Sequence, residues 1–378
     1  MKICFFGGVY DSLIGKGLGG AELQMAILAQ ALSKAGHEVV IIDTHLDRAV
    51  DDIMKIKIYN CANGGIKKVR FFTQKLPNYL KLCYSINADI YYVRGRAYSQ
   101  IIPLIVGKYI RKKIFIKAIS SNIDVLPYLE RLRRTFIYRK SFLSWLFRGV
   151  ITESLFNIIM KKSSLLLLQH QQQDSPKLNS LVSKYIFRNI LLTESLPLNN
   201  SKIDRNSFLY VGTLSPKKGI VELKRIIEQL PGINFQVIGP PENSKDRFFQ
   251  ELVGLQNVNY YGQQNREYIH SLLSHSIGLI NTSPEEGFPN TFLESWYNGC
   301  PVVSLNVDPG GVISTFNLGL VCDGDPGLMV DNITKMNEGL LCFDPHVLHD
   351  YVDKYHSFES AANEFNLIIE DYRKTHGN

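Results

Sequence analysis

The chain has 378 residues, a length that suits two domains of ordinary size. Hydrophobic residues make up 45% and charged residues 20%, which excludes a disordered protein and leaves a globular one. Lys and Arg outnumber Asp and Glu by 42 to 35, so the net charge is +7 and the partner classes include a polyanion, a phosphorylated ligand and an anionic surface.

The six cysteines form no C-x-x-C pair, and the nine histidines form no H-E-x-x-H motif. Reduced thiols and no metal site are therefore expected. No apolar run reaches the ~18 residues that span a bilayer, and residues 1–6 run into glycine too soon for a leader. A cytoplasmic protein is expected.

In chain order, residues 2–6 read as a buried strand and 7–20 as a glycine-rich loop. Residues 21–35 read as a helix with Leu23, Ile27, Leu28, Ala31 and Leu32 on one face, ended by Gly36. Residues 38–42 are the next strand, which makes a β-α-β unit with a right-handed crossover. Strands are expected at 90–93, 114–119 and 165–168, with helical composition after Ser99 and from 130 to 160. Residues 193–206 read as a linker. A second alternating series follows, with strands at 208–211, 235–238, 257–261, 277–280 and 302–305. Its helices are expected at 221–230, 266–275 and 289–297, with a helical tail at 357–373. Two doubly wound α/β domains in tandem are the expected architecture.

Three segments carry chemistry. Residues 15–20 match G-x-G-x-x-G, with Asp43 at a ribose-contact distance along the chain, but eight residues separate the strand at Phe6 from Gly15. An anion-facing loop that caps the next helix is favoured over a dinucleotide site, with Glu22 in the first turn. Residues 208–219 lead a strand into a glycine turn and the pair Lys217-Lys218, where a lysine can neutralise a leaving diphosphate. Residues 283–294 place Glu286 in a loop and Glu294 inside the helix opened by Pro289. Backbone amides between the two acids can hold phosphate while the carboxylates accept from sugar and ribose hydroxyls.

Together these segments resemble glycosyltransferase family 4 of the GT-B fold. The shared motifs are Gly19-Gly20-Ala21-Glu22, then Val211-Gly212-Thr213-Leu214 with Lys218-Gly219, and Glu286 to Glu294 followed by Gly299 to Val303. The resemblance implies two facing Rossmann-like domains, at 1–195 on the acceptor side and 205–355 for the nucleotide-sugar, with a C-terminal helix at 356–378 crossing back to the first. It also implies retaining transfer from a UDP- or GDP-linked sugar to a glycan or lipid-linked acceptor, with no metal or other cofactor. Glu286 would contact the donor sugar, Glu294 the ribose, and Lys218 the departing diphosphate. Gly19, Gly20, Gly212, Thr213, Gly239, Gly287, Phe288, Pro289, Asn290 and Thr291 would complete the donor site. Glu22, Arg94, Ser120, Ser121 and Asp124 are the acceptor-side candidates. Thr213 stands where the family has an arginine, and Lys217, Arg94 or Arg96 are candidates to replace its charge.

Alternatives are a GT-B nucleotide-sugar epimerase, a dinucleotide-dependent oxidoreductase and a non-catalytic sugar-nucleotide binder. No motif that reads nucleic acid is present. The positive charge concentrates in residues 108–162, which hold thirteen basic side chains and three acids, and residues 66–88 add five bases. With Phe136, Tyr138, Phe142, Trp145, Leu146 and Phe147 among them, residues 66–162 are expected to meet an anionic membrane surface on the cytoplasmic leaflet.

Overall fold

The computed structural model describes residues 1–16, 19–46, 50, 52–60, 75–137, 149–175, 178, 182–192 and 205–377. Two compact units are present: Met1–Ile190 with Phe358–Asn378, and Leu191–Ser357.

The first unit holds a seven-stranded parallel sheet in the order β3-β2-β1-β4-β5-β6-β7. Its strands are β1 (Lys2–Gly7), β2 (Glu38–Asp43), β3 (Lys57–Asn60), β4 (Ile90–Arg94), β5 (Ile114–Ala118), β6 (Leu165–Leu168) and β7 (Ser183–Ile186). The central strands are near-continuous apolar runs because helices cover both faces. Residues 3–6 and 165–168 are fully buried. The edge strands β3 and β7 are short and half polar, which is why a search for apolar runs passes over them. Helix α1 (Tyr10–Leu13) is a single turn, and α2 is Gly20–Lys34. Gly36 adopts φ +86°, and its amide donates to the Ser33 carbonyl while His37 N–H donates to Leu32, a Schellman ending for α2.

Helix α3 (Leu76–Ile86) precedes β4. The helical segment after Ser99 is irregular: a 3₁₀ turn at Tyr98–Gln100, α4 at Ile101–Pro103, then a π-helical stretch at Leu104–Ile110. Pro103 lacks an N–H and crowds the preceding turn, so regular winding cannot continue through it. Within the helical region expected at 130–160 lie α5 (Tyr128–Ile137) and α6 (Val150–Lys162), and residues 138–148 lie outside the described residues.

The second unit holds a six-stranded parallel sheet in the order β10-β9-β8-β11-β12-β13. Its strands are β8 (Ser207–Val211), β9 (Phe235–Ile238), β10 (Val258–Tyr260), β11 (Ser276–Asn281), β12 (Val302–Ser304) and β13 (Gly319–Val321). Its helices are α7 (Ile220–Glu228), α8 (Arg247–Val253), α9 (Arg266–Ser274), α10 (Asn290–Tyr297), α11 (Val312–Phe316), α12 (Pro326–Asn337) and α13 (Pro345–His356). Two apolar cores flank this sheet, one around Phe208, Leu223, Ile227 and Met329, the other around Leu279, Phe292, Trp296 and Val352. The last helix, α14 (Phe358–His376), packs on α2 in the first unit and buries Phe365 and Ile369 there.

Candidate active site

In a doubly wound sheet, ligands bind beyond the carboxyl ends of the strands where the order reverses. In the second unit that place lies between β8 and β11. The loop after β8 carries Lys218, and the loop after β11 carries Glu286. Lys218 Nζ and the Glu286 carboxylate form an ion pair there. The residues lie 68 positions apart in the chain and meet only because β8 and β11 are neighbours. Tyr210 lies beneath them, its hydroxyl donating to the Lys218 carbonyl at 3.4 Å. Burial, with the charge of Glu286 added, pushes the Tyr210 phenol up, so it stays a neutral donor.

Two glycines let these loops approach. Gly219 adopts φ +70°, and a Cβ there would lie 2.0 Å from the Thr282 carbonyl oxygen. Thr282 Oγ1 donates to the Gly219 carbonyl at 3.0 Å, which clamps the Lys218 turn to the end of β11. Gly239 adopts φ +135°, and a Cβ there would meet the Gly212 carbonyl oxygen at 2.0 Å. Thr213 is exposed, as is Lys217 on the same turn as Lys218, so Lys217 remains the candidate for the missing arginine charge in this unit.

Glu286, Gly287, Phe288 and Pro289 form the approach to α10. Phe288 is buried, with its ring edge-on to Trp296 at 6.3 Å and 5.0 Å from His356, which anchors the loop. Pro289 is the N-cap residue and no side chain caps α10; Asn290 and Thr291 are half-buried in its first turn. Glu294 lies one turn further and is buried. Its Oε1 accepts from Arg266 Nε at 3.1 Å and Nη2 at 2.8 Å. Arg266 starts α9 and has no sequence spacing that would have marked it. Next to this pair, His270 is buried, and burial pushes its imidazole down.

In the first unit the sheet order reverses between β1 and β4. Gly19 is the N-cap of α2, and Gly20 is its first residue. The Glu22 carboxylate turns back over Gly19, so the first turn carries its own counter-charge. Residues 17 and 18 of the expected anion loop lie outside the described residues. Asp43 accepts from the amides of Val9, Tyr10, His45 and Leu46 at 2.7–2.9 Å. That carboxylate is filled by the backbone, so the dinucleotide reading loses its ribose contact.

Arg94 is buried and donates to Asn189 Oδ1 at 2.6 Å. Asp124 is fully buried: one oxygen accepts from Arg96 Nε at 2.6 Å, and the other from Ser120 N and Oγ and Ser121 N at 2.8–3.2 Å. Burial alone would raise this carboxyl, but Arg96 and Lys117 outweigh it and hold it below the usual range. With Ser121 it also forms a capping box for the turn Asn122–Val125. Asp124 therefore shapes the loop, and Ser120 and Ser121, both half-buried, border solvent. Around them is a charge cluster that sequence patterns do not reveal. Arg96 also pairs with Glu153 at 2.9 Å and Arg131 with Glu153 at 3.0 Å, while Lys117 donates to the Gly95 carbonyl and to Gln100 Oε1. The Arg96, Lys117 and Arg131 cations all lie 5.0–5.2 Å from the Phe156 ring.

Residues 195–338 match the family described as glycosyl transferases group 1. An uncharacterized glycosyltransferase of Methanocaldococcus jannaschii is 29% identical over 128 residues, which is 32% of this chain and 31% of that protein. The match thus spans about a third of that relative's length. The sucrose-phosphate synthase from Thermosynechococcus elongatus superposes with a TM-score of 0.71 at 15% identity, covering 99% of this chain and 100% of that one. Anabaena Alr3699/HepE, solved with UDP and glucose, superposes with a TM-score of 0.67 at 15% identity, covering 98% and 99%.

Proposed function

We propose that this chain, whose residues 195–338 match the glycosyl transferases group 1 family, moves a sugar with retention from a UDP- or GDP-linked donor to a glycan or lipid-linked acceptor. The observation that carries the reading is the Lys218–Glu286 ion pair beyond β8 and β11, with Glu294 one helical turn into α10.

Each residue then has a task. Glu286 accepts from hydroxyls of the donor sugar. Lys218 shares its charge with the diphosphate as the bond from the anomeric carbon to the phosphate oxygen breaks, and that oxygen leaves with the electron pair. The acceptor hydroxyl forms the new bond on the same face and gives up its proton to the departing phosphate. Glu294 uses the oxygen that Arg266 leaves open to accept from the ribose. The amides of Gly287, Asn290 and Thr291 hold phosphate, while the Gly212 and Gly239 amides are spent on the Ile238 and Gly262 carbonyls and these two glycines serve the close approach of their loops. Lys217 and Lys218 supply the charge that other transferases take from a metal, so no cofactor is needed. Glu22, Ser120 and Ser121 face the acceptor and Asp124 positions the serines, whereas Arg94, buried against Asn189, supports this region from within. The acceptor is met at the cytoplasmic leaflet, with an anionic membrane as partner. The epimerase reading is weaker because the matched family is one of transferases.

A thermal-shift panel of UDP-sugars, GDP-sugars and NAD tests this. The expected result is a shift with one sugar nucleotide and none with NAD, followed by a product of unchanged anomeric configuration by NMR and activity that survives chelation. Lys218→Ala should lower donor turnover about 100–1,000-fold, as loss of a charge on a leaving oxyanion does. A response to NAD alone, or unchanged turnover in Lys218→Ala, would overturn the assignment.

A further inference from the structure

We propose that the face of the first unit formed by α4, its π-helical continuation and α6 rests on an anionic bilayer leaflet. This deepens the lipid-linked acceptor reading and rests on it for its purpose.

The two helical segments are crossovers on neighbouring strands, β4 to β5 and β5 to β6, and they lie side by side. Lys108 Nζ fastens them, donating to the Lys162 carbonyl at 2.8 Å and the Ser163 carbonyl at 3.0 Å at the C-terminal end of α6. Inward residues are buried as a core face should be: Ile102, Leu104 and Val106 on one segment, Phe156, Ile159 and Met160 on the other. The outward residues are apolar as well. Ile105, Tyr109 and Ile110 are exposed on the first segment, and Ile151 and Ile158 on α6, with Ile110 54% and Ile151 53% accessible. On a solvent-facing helix surface those positions should be charged. A set of exposed large apolar side chains grouped on one face marks an interaction surface.

The charge around this patch selects the partner. From 101 to 113 and from 149 to 163 the chain carries six bases and one acid. The acid, Glu153, is buried and paired to Arg96 and Arg131, so it contributes nothing outward. Lys112, Lys161 and Lys162 are exposed at the C-terminal ends of the two segments. Beside them a recess of about 390 Å³ is lined by Asp89, Lys112, Lys113, Ile114 and Arg373, three cations against one acid. Apolar side chains that can enter the acyl boundary, next to lysines at headgroup height, are complementary to a leaflet of anionic phospholipid. The expected contact region is thereby narrowed. Of the basic residues expected to face the membrane, Lys117 and Arg131 are buried, and Arg111 lies 3.6 Å from the centre of the Tyr84 ring.

The test is co-sedimentation of the full chain with vesicles of phosphatidylcholine alone and with phosphatidylglycerol added. Two variants accompany it, Ile105→Glu/Ile158→Glu and Lys161→Glu/Lys162→Glu. Thermal melting confirms folding, and the sugar-nucleotide shift of each variant is recorded separately. Wild type should bind the anionic vesicles at least about tenfold more tightly than neutral ones at low salt, and each variant should lose about tenfold. Their sugar-nucleotide shift should be unchanged, so failure of the membrane proposal leaves the transferase reading standing, and the reverse. Equal partitioning to both vesicles overturns the proposal. So does full anionic binding by the folded apolar variant, or a dimer of wild type that this variant dissociates.

Discussion

Glu294 illustrates how one side chain acquires a direction. The carboxylate sits in a helix that leaves it buried, and an acid there needs a partner for its charge. Arg266 supplies two donors to a single oxygen, which fixes the rotamer and leaves the second oxygen for a ligand. Arg266→Met should therefore raise KM for the donor about tenfold with little change in kcat, the worth of one charged hydrogen bond. It should also reduce discrimination between UDP or GDP and the 2′,3′-dideoxy form; isothermal titration with both nucleotides reads this directly. Lys117 is a second case. Burial pushes its ammonium down to about 7. An unfolded chain keeps that proton up to about 10.4, so between these values the unfolded state binds more protons and stability rises with pH. Below pH 7 both states are protonated, and the cost of burying the charge is present in full. Urea unfolding of wild type and Lys117→Met should show their stability difference climbing in favour of wild type from pH 7 to 10. A difference that stays level across that range would sink the idea.

At the scale of elements, the turn between β8 and α7 decides where Lys218 points. Gly219 is both left-handed and pressed against the Thr282 carbonyl. Gly219→Ala has to move the turn away from β11, and should cost about 2 kcal/mol or more from the backbone conformation and the clash together. The expected outcome is a lower melting temperature of the second unit and a loss of turnover comparable to that of Lys218→Ala. A variant with native stability and activity would show that the turn tolerates the shift. The irregular helix after Ser99 makes the complementary point. Helical composition marks this stretch in the sequence, but the chain winds as a 3₁₀ turn, α4 and a π-helical segment, and that altered winding leaves Ile105, Tyr109 and Ile110 facing outward.

At the scale of the molecule, the chain ends where it began. Phe365 of α14 is fully buried in the first unit, 6.5 Å from the Tyr92 ring and 6.1 Å from Phe187. Phe365→Ala should cost about 3–5 kcal/mol, the usual penalty for emptying a buried aromatic site. Hydrogen exchange would locate the loss: faster exchange in β1 and β4, with β8 and β11 unaffected. Equal acceleration in both units would mean that they unfold as one.

Much of this architecture is legible in the residues themselves. Runs such as 3–6, 165–168 and 208–210 read as buried parallel strands, and each is buried on both faces. The glycine turns and the spacing of Glu286 and Glu294 mark the candidate site, because each depends on neighbours within about ten positions. What the residues do not announce depends on partners far away in the chain. The pairing of Lys218 with Glu286, of Arg266 with Glu294, and of Asp124 with Arg96 follows from the strand order, which brings distant loops to one edge. The same order filled Asp43 with backbone amides and buried Lys117, Arg131 and Glu153. Sequence determined that this chain would build two doubly wound parallel sheets with acids and lysines at their loops. Tertiary structure decided which of those charges are spent on one another and which remain for a ligand, because burial and proximity are properties of the packed chain alone.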